Sequence, residues 1–139
     1  TLAGAAFSNA SVALVHGMSR PIGASYHVPH GLSNAMLLPA VTEYSIPAAA
    51  DRYADCARAI GVADENDTTE TANRKLMDEL HALNKELQVP SPEAFGIDRE
   101  HFLGNLSSMA NQALASGSPA NNPRVPDANE IIELYKKLL

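Results

Sequence analysis

From its first residue to Ala50 the chain carries only two charged side chains, Arg20 and Glu43, and every other Asp, Glu, Lys and Arg lies from Asp51 onward. A surface helix normally keeps charge on its outer face. A segment of this length without such a face is expected to be buried on most sides. The stretch "LAGAAFSNASVALVHGM" approaches the length of a membrane span. Ser8, Asn9, Ser11 and His16 interrupt it, however, and its apolar residues are mostly small, so no membrane insertion is expected. It also lacks the basic start and cleavage site of a signal peptide. A buried helix with nothing before it to cover it points to the C-terminal part of a longer protein, whose missing part packs on residues 1–50.

The 139 residues suit one domain with a real core. The net charge of -6, with no basic run, argues against a nucleic-acid partner. Cys56 is the single cysteine. It excludes an internal disulfide and points to a reducing compartment, the cytoplasm. Its helical position reads as a small core residue.

Hydrophobic periodicity is helical nearly throughout, and no segment alternates with period two. The expected architecture is all-α, a bundle of five to six helices forming a single domain over 1–139. The first helix is expected from Leu2 to His16, with Gly17 as its stop. A loop punctuated by Pro21, Gly23 and Pro29 follows, and a second helix opens near His30, with Pro39 kinking or ending it. A third starts at Pro47 and stops at Gly61. Asp67 with Glu70 reads as a capping box for a fourth, on which Ala72, Leu76, Leu80, Leu83 and Leu87 share a face. Asp98 opens a fifth with Phe102, Leu106, Met109 and Ala113 inward. Asp127 with Glu130 caps a last helix carrying Ile131, Leu134, Tyr135 and Leu138.

Three of the five histidines fall in "VHGMSRPIGASYHVPHGLSNAMLLP", the least charged part of the chain. His16 and His30 lie too far apart in sequence for one straight helix to join them. A helix end, a turning loop and a new helix start bring them together, with His16 at the C-terminal end of the first helix and His30 at the N-terminal end of the next. A helix N-terminus disfavours imidazolium, and an uncharged, buried setting lowers a histidine pKa further. Neutral imidazole is what a metal requires. Two ligands fall short of the three or four that a catalytic divalent ion takes from protein. The plainer alternative is a pair of core or capping histidines bonded to backbone. His27 reads as a loop residue, and His81 and His101 as solvated. In "GSPANNPRVPD", Asn121, Asn122 and Arg124 are candidates for contact with a ligand or a partner domain. Local Asx turns between two helices are the simpler account.

The segment "AFSNASVALVHGMSRPIGASYHVPHGLSNAMLLPAV" resembles the central signature of the iron-containing (group III) alcohol dehydrogenases, and "NPRVPDANEIIELYKKLL" is similar to their usual C-terminus. The resemblance implies the C-terminal helical domain of a dehydroquinate synthase-like fold, with the N-terminal α/β dinucleotide-binding domain missing. It implies Fe(II), or Zn(II), held between the domains by an Asp and three His. His16 and His30 match the last two of these, and the other two ligands lie upstream of Thr1. NAD or NADP is bound mainly by the missing domain. A small alcohol or aldehyde is the implied substrate, and a homo-oligomer the implied parent. Many members carry a further histidine near the nicotinamide where this chain has Arg20. Arginine does not relay protons at neutral pH, so Arg20 is expected to face cofactor or substrate as a fixed charge. This fragment alone is expected to be inactive. The alternatives are a non-catalytic helical binding module and a related zinc polyol dehydrogenase of the glycerol type.

Overall fold

The computed structural model describes residues 2–139, and among them there is no strand. Eight α-helices follow in order: α1 Leu2–Ala10, α2 Leu14–Tyr26, α3 His30–Ser45, α4 Ala50–Ala59, α5 Thr69–Glu86, α6 Pro92–Phe95, α7 Arg99–Ala115 and α8 Ala128–Lys136. Short 3-10 turns occupy Ile46–Ala48 and Ser118–Asn121. The all-α expectation holds, with two more helices than the upper count. One addition is the single turn of α6 inside the expected connector. The other comes from division of the first helix.

That division corrects the expected boundaries. The chain leaves α1 at Ser11, whose φ is 63°, and starts again at Leu14. Gly17, Pro21 and Gly23 then lie inside α2 rather than after it. Leu14, Met18 and Ile22 recur at four-residue steps and are all fully buried. Burying each side chain contributes about 1.5–3 kcal/mol, which together exceeds the roughly 3 kcal/mol that an interior proline costs a helix. Gly17 serves close approach instead of termination. A Cβ there would sit 3.0 Å from both Cδ and Cγ of Pro119. The stop falls at His27, in left-handed conformation, whose N–H donates to the Gly23 carbonyl at 3.0 Å. Likewise α3 continues through Pro39, whose side chain is buried, to Ser45.

The main core joins four helices. α2 contributes Leu14, Met18 and Ile22; α3 Met36, Leu37 and Val41; α7 Phe102, Leu106 and Met109; α8 Ile131, Leu134 and Tyr135. The inward face expected for α7 is therefore the observed one, and so is that of α8 apart from Leu138, which lies past the helix end and is only partly buried. The caps at Asp98 and Asp127 are in place, the second as a full capping box with Glu130. At α5 the cap is Thr68, which accepts from the Thr71 N–H. Asp67 instead accepts from the Asp64 N–H and from Lys75, a stronger charge-assisted partner. A second small core of Ala54, Ala57, Ala63, Ala72 and Leu76 joins α4 to α5. Its close packing uses alanines and leaves Cys56 exposed, contrary to its expected core position.

The burial expected for residues 1–50 is realised in α2 and α3 but not in α1. The α1 residues described are exposed, with Leu2 at 89% and Phe7 at 57%. No helix among the described residues is long and apolar enough to cross a membrane.

Candidate metal centre

His16 is the third residue of α2 and His30 the first of α3. Both therefore occupy helix N-termini. The expected place of His16, at a helix C-terminus, is wrong because α1 ends before it. The linker of residues 27–29 brings the two together. It doubles back along α2, so closely that a Cβ on Gly23 would lie 3.3 Å from the Val28 carbonyl oxygen. The imidazole rings end 5.1 Å apart, centre to centre, at a tilt of 57°.

Neighbouring side chains hold the pair. Phe7 of α1 lies 6.5 Å from the His16 ring. Ser19 and Asn34 flank His30, with Ser19 Oγ 3.5 Å from Nδ1 and Asn34 Nδ2 3.1 Å from Nε2. Asn34 Oδ1 is buried with no hydrogen-bond partner. Burial holds the His16 imidazole below its ordinary pKa, and the nearby His30 and Arg20 push it the same way. Two imidazole rings this close together suit a divalent transition cation. Among the described residues no third His, Cys, Asp or Glu joins them.

Arg20 lies one helical turn beyond His16 and is exposed. Its Nη1 donates to Ser118 Oγ at 3.4 Å, which draws the guanidinium toward the Ser118–Asn121 turn. That turn belongs to the "GSPANNPRVPD" loop, whose asparagines reach further than local turns. Asn121 Nδ2 donates to the Val12 carbonyl at 2.9 Å, and Asn122 Nδ2 to Ser45 Oγ at 2.9 Å. Arg124 pairs with Glu130 at 2.6 Å and lies over the Tyr44 ring. The loop thus braces the start of α2 and the end of α3. His27, His81 and His101 are exposed and stand apart from the pair.

Beside His16 opens a cavity of about 610 Å³, walled by Phe7, Val12, Val15, Leu38 and Tyr53 among others. None of the described residues lining it is Asp, Glu, Lys or Arg. The sequence alone did not identify Ser19, Asn34 or Phe7. A usable signal existed for two of them. Ser19 and Asn34 stand three and four residues after the histidines, the spacing that shares a helix face.

Residues 1–139 match the family described as "Fe-containing alcohol dehydrogenase family, C-terminal". The chain belongs to the iron-containing alcohol dehydrogenase family. Among curated members, it is 36% identical over 135 residues to the lactaldehyde reductase of Escherichia coli K12, covering 96% of this chain and 34% of that one. It is 36% identical over 142 residues to the 1-propanol dehydrogenase PduQ of Citrobacter freundii, covering 100% of this chain and 38% of the relative. A crystal structure of a 1,3-propanediol oxidoreductase superposes with a TM-score of 0.90 at 31% identity, covering 99% of this chain and 35% of that one. These family members are alcohol and aldehyde oxidoreductases by name, and the chain spans about a third of their length.

Proposed function

We propose that this chain supplies the helical part of a metal-dependent, NAD(P)-linked alcohol dehydrogenase that interconverts small alcohols with aldehydes or ketones. The observation that carries this reading is the pair of imidazoles, 5.1 Å apart on two helix N-termini and beside an uncharged cavity. Family membership and the oxidoreductase names of the relatives support the same direction.

His16 and His30 are the metal ligands of this chain. An Asp and a third His outside it complete the set, and Fe(II), with Zn(II) as the alternative, is the fitting ion. When bound, such a cation supplies Lewis acidity toward an alcohol or carbonyl oxygen, and a nicotinamide supplies the hydride chemistry. Partial burial, with His30 and Arg20 nearby, favours the neutral form of His16 that a metal requires. The uncharged wall of the cavity favours a small uncharged substrate over a carboxylate. Arg20 acts as a fixed positive charge toward a cofactor phosphate or a polar group of the substrate.

The test is metal analysis of the full-length protein and of its His16→Ala and His30→Ala variants, with a kinetic screen of short alcohols, diols and aldehydes. Each variant is expected to lose most of its iron or zinc together with its NAD(P)-linked turnover. Wild-type metal content and turnover in both variants would overturn the assignment. Arg20→Ala is expected to raise the KM for cofactor or substrate, and unchanged constants would remove that role.

A further inference from the structure

Ser19 touches both histidines and is fully buried in an apolar helix face. A buried hydroxyl is costly unless its donor and acceptor sites are used. Here both are. Ser19 Oγ donates to the His16 carbonyl at 3.2 Å and lies 3.5 Å from His30 Nδ1. A serine hydroxyl has one hydrogen. With that hydrogen committed to the His16 carbonyl, Oγ offers His30 only lone pairs. Nδ1 must then be the nitrogen that carries hydrogen.

The other side of the ring gives the same answer independently. Asn34 Nδ2 is 3.1 Å from His30 Nε2, and an amide NH₂ group only donates. Nε2 is therefore the acceptor. Turning the Asn34 amide over would move its NH₂ group to where Oδ1 now sits buried without a partner. Two unpaired N–H donors would then replace one unpaired oxygen, so the present orientation is the cheaper one.

We infer that Ser19 is a positioning residue that fixes His30 as its Nδ1–H tautomer, leaving Nε2 as the atom offered to a cation. This rests on the metal role of His30 proposed above. Ligating histidines commonly have the other ring nitrogen held by a hydrogen bond, which sets tautomer and ring angle. In this chain the holding group comes from the helix that carries His16. One hydroxyl therefore joins the backbone of the first histidine to the ring of the second. Asn34 holds Nε2 by a neutral hydrogen bond only, and no partner locks its Oδ1. Rotation of that side chain frees Nε2 for a cation.

Two measurements on the full-length protein test this. The first is ¹⁵N NMR of the metal-free protein labelled at histidine. His30 is expected to show a protonated Nδ1 and a bare Nε2, and the opposite pattern would overturn the inference without any variant. The second is metal affinity by chelator competition. Ser19→Ala is expected to weaken binding roughly ten- to hundredfold, with an Nε2–H population appearing in the metal-free NMR spectrum. Wild-type affinity in Ser19→Ala would overturn the inference. So would weakened affinity with the Nδ1–H pattern unchanged, since the loss would then be merely structural. His30→Ala separates the two levels. Wild-type affinity there sinks the metal reading along with this one. A defective His30→Ala beside a normal Ser19→Ala sinks only the role of Ser19.

Discussion

Gly17→Ala and Gly104→Ala make the same chemical change inside two helices and are expected to move stability in opposite directions. Alanine gains about 1 kcal/mol over glycine in a helix interior, because the unfolded chain has less freedom to lose. At Gly104, on the exposed side of α7, an added Cβ meets nothing within 4 Å, so that gain is kept. At Gly17 the added Cβ would lie 3.0 Å from two carbons of Pro119. Non-bonded carbons settle at about 3.5 Å or more, so the contact must open by roughly half an ångström. Pro119 is fully buried and its ring is rigid, which leaves no flexible end to swing aside. Overpacking of this kind costs about 1–3 kcal/mol, more than the propensity gain. Gly17→Ala should therefore lose about 1 kcal/mol, and the two variants should differ by about 2 kcal/mol. At about 3–4 °C per kcal/mol for a chain of this length, thermal unfolding resolves the difference easily. Urea unfolding followed by far-UV circular dichroism gives the same comparison as free energies. If Gly17→Ala is stabilised as much as Gly104→Ala, α2 and the Ser118–Asn121 turn do not meet as described, and the bracing of His16 by that turn fails with them.

Tyr135→Phe should cost about 1–3 kcal/mol. It removes the buried hydroxyl that donates to the Met18 carbonyl at 2.7 Å and leaves that carbonyl without it; a urea midpoint equal to wild type would refute this. Asp67 should contribute to acid sensitivity. Its hydrogen bond from Lys75, at 2.6 Å, and a second from the Asp64 N–H hold its pKa below the ordinary carboxylate value. The folded pKa is thus lower than the unfolded one, near 4. This contribution is present above the unfolded pKa and disappears as pH falls through the folded one. Asp67→Asn should consequently lose less stability than wild type between pH 5 and pH 3. An equal loss in urea unfolding at the two pH values would contradict this.

Much of the second half of the molecule is legible in its sequence. Asp98 and Asp127 cap the helices they precede, and the inward faces of α7 and α8 follow directly from the spacing of Phe102, Leu106, Met109, Ile131 and Tyr135. Local chemistry decides those features, so local reading finds them. The first half is harder because tertiary contact overrides punctuation there. Gly17, Pro21 and Gly23 carry the residue types of a loop. They are helical because Leu14, Met18 and Ile22 bury one face, and because Pro119, distant in sequence, needs the space above Gly17. At α5, Lys75 draws Asp67 away from a cap that Thr68 then takes. The meeting of His16 and His30 was expected, but the means was not. A three-residue linker folding back on α2 does it, and Ser19 between them looked like any polar residue in an apolar run.

The bracing of α2 has a consequence for how the protein is made. His16 and His30 leave the ribosome close together, ahead of the groups that steady their helix. Those groups come later: Asn121 reaches back over 109 residues to Val12, and Tyr135 over 117 to Met18. Contacts of such separation form late, because the intervening loop must close first. A growing chain therefore displays both imidazoles well before their support exists. The histidine pair of the proposed metal site is thus steadied only once α8 has packed on α2, and removing α8 should loosen a pair encoded far upstream of it.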